Sequence, residues 1–133
     1  MISTKDIVWL AGLLEGEGCF SLDGNGAKSR GYGKLVIVLQ MTDRDVVARA
    51  AKILGGPVAG PYRPKVSRKE VWTTRVWCRR AASWMMTLHP LMGERRQARI
   101  QELLTHWRSR PARLTREDYA RRDDQFIPTP QTA

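Results

Sequence analysis

This chain predicts an α+β fold: an antiparallel four-stranded sheet with helices on one face. Two observations carry that reading. Apolar periodicities run in the order helix, two strands, helix, two strands, then helices. The strand segments alternate apolar and polar residues, so each has one side to bury and one to expose. The length of 133 residues suits one such domain.

Thr4 is placed to cap a first helix from Lys5 to Gly16, with Asp6 in its first turn and Ile7, Leu10 and Leu14 facing the core. A strand from Gly18 to Asp23 follows at once, Phe20 and Leu22 on one side and Cys19, Ser21 and Asp23 on the other. Gly24-Asn25-Gly26 and Gly31-Tyr32-Gly33 bracket a turn or flexible loop. Lys34 to Met41 reads as a second strand, with Leu35, Ile37 and Leu39 opposite Lys34, Val36, Val38 and Gln40. Thr42 or Asp43 caps a helix from Arg44 to Leu54, which Gly55-Gly56-Pro57 ends. Val58 to Lys65 is a strand demoted to an edge or bulge by Pro61 and Pro64. After a charged turn, Val71 to Arg79 is the fourth strand. Ala81 to Leu88 is a short helix, and Gly93 to Trp107 a longer one with Ile100, Leu103, Leu104 and Trp107 inward. Arg108 to Arg122 is basic, with one more short helix from Thr115; Gln125 to Ala133 reads as disordered.

The net charge of +10, from 23 Lys and Arg against 13 Asp and Glu, points to a polyanionic partner. No apolar run approaches the roughly 20 residues of a membrane span, and no secretory signal precedes the first helix. A location inside the cell is therefore expected, in the cytoplasm or an organelle. Cys19 and Cys78 lack metal-site spacing and read as free, buried thiols.

The stretch Leu10-Ala11-Gly12-Leu13-Leu14-Glu15-Gly16-Glu17-Gly18 carries most information. Val8, Gly12 and Gly16 share one helical stripe. Glycine inside a helix costs about 1 kcal/mol against alanine. The stripe makes sense if another backbone approaches closely there. Glu15 and Glu17 fall at the helix C-terminus, where the dipole disfavours negative charge. Something positive is expected beside them, and a divalent metal ion suits oxygen donors of this kind.

This stretch resembles the LAGLIDADG motif of the homing endonucleases. Leu10, Ala11, Gly12, Leu13 and Gly18 match letter for letter; Leu14, Glu15, Gly16 and Glu17 replace isoleucine, aspartate, alanine and aspartate. The resemblance extends over about the first 105 residues. It implies an αββαββα endonuclease domain over residues 1–108, with a basic extension over 109–133. It implies a sheet that forms a saddle across the major groove of double-stranded DNA. A single motif implies a homodimer, with Val8, Gly12, Glu15 and Gly16 at the subunit boundary. By position, Glu17 takes the place of the metal-binding acid and the Gly16 carbonyl that of a backbone ligand, for Mg²⁺ or another divalent cation such as Mn²⁺. Glu15 takes a more structural place. Gln40 and Asp43 fall where the family orders waters near the cut, and Arg95 or Arg96 where it sets a basic residue facing the phosphate. The implied activity is site-specific DNA cleavage of the intron-encoded, homing type, on a long pseudo-palindromic site.

The face of the sheet away from the helices is the expected DNA-reading surface. Strand alternation assigns it Ser21, Asp23, Lys34 and Gln40 on the first two strands, and Arg63, Lys65, Thr73 and Arg75 are favoured on the third and fourth. Arginine on guanine and glutamine on adenine are the pairings open to such residues. Trp72 and Trp77 point to opposite faces, so one of them is a candidate to face DNA, although core is the preferred reading for either. His89 and His106 have no acid or cysteine at ligand spacing and read as structural. A non-cleaving DNA-binding regulator or splicing cofactor of the same fold is the alternative. The paired acids of the motif argue against it, because a pure binder has no use for carboxylates beside phosphates.

Overall fold

In a computed structural model, residues 1–23 and 33–109 are described. Helix α1 spans Thr4–Glu17, and its cap is Ser3, not Thr4 as expected. The Ser3 hydroxyl accepts from the Asp6 N–H at 3.1 Å, and the Asp6 carboxylate accepts from the Ser3 N–H at 3.0 Å. This reciprocal pair satisfies two orphan donors, which a cap at Thr4 would not. The Ser3 backbone bond, and then its hydroxyl, hold the Asp6 carboxyl below its usual 3.8. Its contribution to stability is present above the unfolded value and is lost as pH falls through the lower folded one.

Strand β1, Gly18–Asp23, begins with no intervening residue. The Gly18 N–H still bonds the Leu14 carbonyl, while its own backbone is already extended at φ −79° and ψ 160°. A Cβ on Gly18 would lie 2.7 Å from Leu14 Cδ2 and 2.8 Å from Leu14 O. The fold can therefore turn from helix to strand here only around glycine.

Strand β2, Lys34–Met41, pairs antiparallel with β1, from Gly18 opposite Leu39 to Asp23 opposite Lys34. The glycine-bracketed loop expected between them lies outside the described residues, as does the extension beyond Ser109. Helix α2, Arg44–Leu54, ends at Gly55 with φ +78°, a left-handed turn that glycine adopts without strain. Strand β3 is Ala59–Tyr62, shorter than the expected Val58 to Lys65. Pro61 is accommodated inside the strand at a shift of register, whereas Pro64 has no N–H to donate, so the ladder does not continue to Lys65. Strand β4, Val71–Trp77, pairs with both β2 and β3, giving the order β1-β2-β4-β3.

Helix α3, Cys78–Leu88, starts three residues earlier than expected. The switch falls on Cys78, whose φ of 52° breaks the strand at a residue that apolar alternation alone would continue. A 3-10 turn, His89–Leu91, leads to helix α4, Glu94–Arg108.

The helices cover the sheet face that carries Phe20, Leu35, Ile37, Leu39 and Val76. Leu10 and Leu14 of α1, Val47 and Leu54 of α2, Met85 and Leu88 of α3, and Ile100 and Leu103 of α4 complete the core. Two ties fix the helices to one another. The Arg49 guanidinium of α2 lies 4.0 Å from the Trp9 ring centre of α1. The last carbonyls of α2 accept from α3, Gly55 from Arg80 and Leu54 from the Trp84 indole at 3.1 Å. Both cysteines are free, as expected, but Cys19 is exposed and Cys78 only half-buried. Cys19 alternates with core-facing Phe20 and so falls on the uncovered sheet face. No described helix is long and apolar enough to cross a membrane.

Gly18→Ala is expected to destabilise the chain by about 1–3 kcal/mol, the usual cost of overpacking, because the new methyl meets Leu14 backbone as well as side chain. Urea unfolding of the variant measures it, and a midpoint equal to wild type would contradict the account of the helix-to-strand switch.

Candidate functional site

The end of α1 meets the start of α4, and the two answer each other's unsatisfied groups. Gly93, the residue that caps α4, donates its N–H to Glu15 Oε2 at 3.3 Å. Arg96, in the first turn of α4, donates from Nη2 to the Glu15 carbonyl at 3.1 Å. One helix presents carbonyls and a carboxylate; the other presents N–H groups and a guanidinium. The pairing is favourable to both dipoles. Arg96 also lies over the Phe20 ring at 5.8 Å, and Arg99 donates to the Phe20 carbonyl at 3.3 Å. So α4 grips the turn from α1 into β1 at consecutive points.

This grip separates residues that look equivalent in sequence. Glu15 turns its carboxylate onto its own α4. Glu17, the last residue of α1, is exposed and makes no hydrogen bond or ion pair with another described residue. Arg96 is half-buried and bonded to α1, whereas Arg95 is exposed and makes no such bond. The Glu15–Gly93 link joins residues far apart in sequence, and no local pattern announces it.

The register carries the site onto the sheet. Gly18 faces Leu39, so Glu17 and Gln40 stand one step beyond that rung at the same end of the sheet. Asp43 occupies the cap position of α2, yet its side chain makes no capping bond. Its carboxylate is exposed. Among the described residues no group of three His, Cys, Asp or Glu side chains is placed to hold a metal ion. One chain thus offers a single free carboxylate beside the carbonyl end of a helix. These are hard oxygen donors of the kind that Mg²⁺ takes, and Mg²⁺ leaves several positions to water and phosphate.

The uncovered sheet face holds most of the remaining residues. Ser21, Asp23, Lys34, Gln40 and Arg75 all point away from the helices, as alternation requires. Asp23 and Lys34 share a rung at the far end from Glu17. Thr73 has the same parity but is only 5% exposed, and it donates its hydroxyl to the Leu39 carbonyl at 3.1 Å. Lys65 lies in a turn after β3, and Arg63 immediately follows that strand. Gln40, Tyr62, Arg63, Thr73, Arg75 and Trp77 line one concavity of about 440 Å³ on this face. Of the two tryptophans, Trp77 is the exposed one, against the preferred core reading, because it shares the parity of Thr73 and Arg75; Trp72 packs partly against the core. Counting in twos from Arg75 was the available signal for Trp77. Tyr62 had none, since the bulge between Ala59 and Tyr62 breaks the count.

On α1, Val8 is 56% exposed, and a Cβ on either Gly12 or Gly16 would meet nothing within 4 Å. The glycine stripe is therefore open to the outside, and its last member adjoins Glu17.

No family model matches the chain, and no curated protein sequence matches it. Solved structures do. A complex of the homing endonuclease I-CvuI with its target, in the presence of calcium, superposes with a TM-score of 0.62 at 16% identity, over 94% of this chain and 76% of that one. The same enzyme with the I-CreI target and magnesium, its DNA not cleaved, gives 0.55 at 18% identity, over 77% and 68%. The group I intron-encoded homing endonuclease I-CeuI, complexed with DNA, gives 0.62 at 12% identity, over 96% of this chain and 62% of that one. The chain has the α+β fold of these endonucleases, in agreement with the resemblance at Leu10 to Gly18.

Replacing Glu15 by alanine removes the acceptor that caps α4 and is expected to cost about 1 kcal/mol. Glu17→Ala, at an exposed side chain with no bonded partner, is expected to change stability by less than about 0.5 kcal/mol. Paired denaturation curves test the contrast, and equal losses in the two variants would remove the division of roles between the acids.

Proposed function

We propose that the chain is a divalent-metal-dependent DNA endonuclease of the homing type, acting as a homodimer on a long pseudo-palindromic site, with residues 1–108 as the catalytic domain. The observation that carries this reading is the open stripe of α1 running into a free acid. Val8, Gly12 and Gly16 face outward with room for another backbone, and Glu17 follows directly. A two-fold axis along that stripe brings two copies of Glu17 together. Adjacent carboxylates repel unless protons or cations lie between them.

In this reading Glu17 and the Gly16 carbonyl hold the metal ion, and the scissile phosphate completes the oxygen set. A bound Mg²⁺ or Mn²⁺ supplies Lewis acidity, lowering the pKa of a water and stabilising the leaving oxygen. Gln40 and Asp43, at the same end of the sheet, offer hydrogen bonds to waters around the cut. Arg95 offers a free guanidinium to the phosphate, while Arg96 holds the backbone of the motif in place. Gln40, Arg63 and Arg75 on the uncovered face contact the duplex. Support comes from the shared fold with endonucleases solved on DNA and from the net charge of +10.

Three outcomes are expected. Glu17→Gln keeps the shape of the side chain and removes the charge that binds metal. It is expected to abolish cleavage of a selected duplex in Mg²⁺ while binding in Ca²⁺ stays equal or tightens. Full cleavage by this variant would exclude the assignment. No cleavage by wild type on any selected site would leave a DNA-binding protein of the same fold. Gly12→Leu fills the open stripe and is expected to convert a dimer to monomer in sedimentation at micromolar concentration. A monomeric wild type, with and without DNA, would exclude the shared site. Duplex affinity is also expected to fall steeply with salt through counterion release; a flat titration between 50 and 200 mM, the range over which such losses are large, would contradict the basic contact surface.

A further inference from the structure

The concavity on the uncovered sheet face mixes polar side chains with apolar ones, Tyr62, Val71 and Trp77 among them, and of these Trp77 is the exposed one on β4, in line with Arg75. Trp77 is 37% exposed and lines the same concavity as Gln40, Arg63 and Arg75. Its rung partner Val36 is buried at 2%, and half-buried Val38, the partner of Arg75, lies diagonally beside it. An exposed tryptophan alone is ordinary on a protein surface. This one shares a trough with an arginine and a glutamine that face the same occupant. In a major groove, arginine matches guanine and glutamine matches adenine. The groove's one apolar feature is the thymine 5-methyl group.

We propose that Trp77, flanked by Val38, selects a thymine in each half-site by contact with its 5-methyl group. This deepens the endonuclease reading and rests on the DNA-binding part of it, not on cleavage. The strand geometry also places that thymine. Arg75 and Trp77 are alternate residues of β4, about 6.6 Å apart along the strand. Base pairs rise about 3.4 Å each. With β4 laid along the duplex axis, the thymine lies about two base pairs from the position that Arg75 reads.

The test uses the full chain and binding alone. Sites are selected from a randomised duplex library in Ca²⁺, and the position that loses preference in Arg75→Ala marks the arginine contact. Each thymine of the selected site is then replaced singly by deoxyuridine, which removes only the methyl. Wild type is expected to lose about fourfold in affinity at one thymine per half-site, two base pairs from the arginine position, the magnitude of one buried methyl. Trp77→Ala is expected to bind the thymine and uracil duplexes equally, and Trp77→Phe to keep the discrimination. If the alanine variant does not fold, the uracil series on wild type and Trp77→Phe decides. Sequence-specific binding that ignores every thymine methyl overturns the inference and leaves the endonuclease reading intact. Discrimination that persists in a folded Trp77→Ala overturns it as well. Absence of duplex binding overturns both together.

Discussion

The structure depends on one abrupt turn, in which a helix becomes a strand with no residue between. Gly18 closes the last hydrogen bond of α1 and opens β1 in the same residue. Any side chain there would collide with Leu14. The turn holds the exposed acid of α1 and the first rung of the sheet in fixed relation. Because Gly18 pairs with Leu39, it also sets which residues of β2 reach the acid's end of the sheet. Gln40 is near Glu17 for that reason, and Ser21, Asp23 and Lys34 are progressively farther away. The parity of the uncovered face follows from the same residue, since alternation from Gly18 sends Phe20 inward and Cys19 outward.

Such a turn leaves helix carbonyls and an acid at an unfavourable pole, and α4 corrects this. Its capping N–H meets the Glu15 carboxylate, and its Arg96 meets the Glu15 carbonyl. A basic residue in a first helical turn is ordinarily opposed by the dipole. Here it is answered by the negative end of another helix. What remains unanswered is then informative. Glu17 and Arg95 are among the charged members of this junction that the described fold does not use. A charge left free beside a junction whose other groups are bonded costs little to hold in place and stays available to an outside group.

Most elements were legible because burial on one face imposes a period. The helices α2 and α4 and the strands β1 and β2 follow their apolar patterns within a residue or two. The misses have particular causes. Ser3 caps α1 because Asp6 stands three residues on and reciprocates, a pairing that a choice by single-residue preference gives to Thr4. Strand β3 runs through Pro61 but stops short of Pro64. Strand β4 ends at Trp77 because Cys78 takes a left-handed backbone, and no preference of cysteine signals that. At the candidate site, the motif singled out Glu17 and Gly16, and both are exposed at the end of α1. The separation of Arg95 from Arg96 was not legible. It arises from the packing of α4 on α1, two elements joined only through the intervening sheet and α2 and α3. Thr73 shows a subtler limit: parity placed it outward correctly, but its hydroxyl is taken by Leu39.

The composition of α1 is the remaining conflict between local preference and fold, and it favours a second copy of the chain. Leu10, Ala11 and Leu14 are buried in the core, which already accounts for one face of the helix. The opposite face carries Val8, Gly12 and Gly16 rather than the charged residues that a solvent-facing stripe usually has. Each glycine lowers helix stability by about 1 kcal/mol relative to alanine. Among the described residues nothing recovers that cost, because alanine at either position would meet none of their atoms within 4 Å. A compensating contact must therefore come from outside the described fold. An approaching helix of the same sequence satisfies this at both glycines at once, since a two-fold contact presents the same open stripe from each side. That arrangement buries Val8 and brings together the two free acids that single chains hold apart. In the proposed homodimer the apparent defects of α1, its glycines and its terminal acid, would be parts of one site.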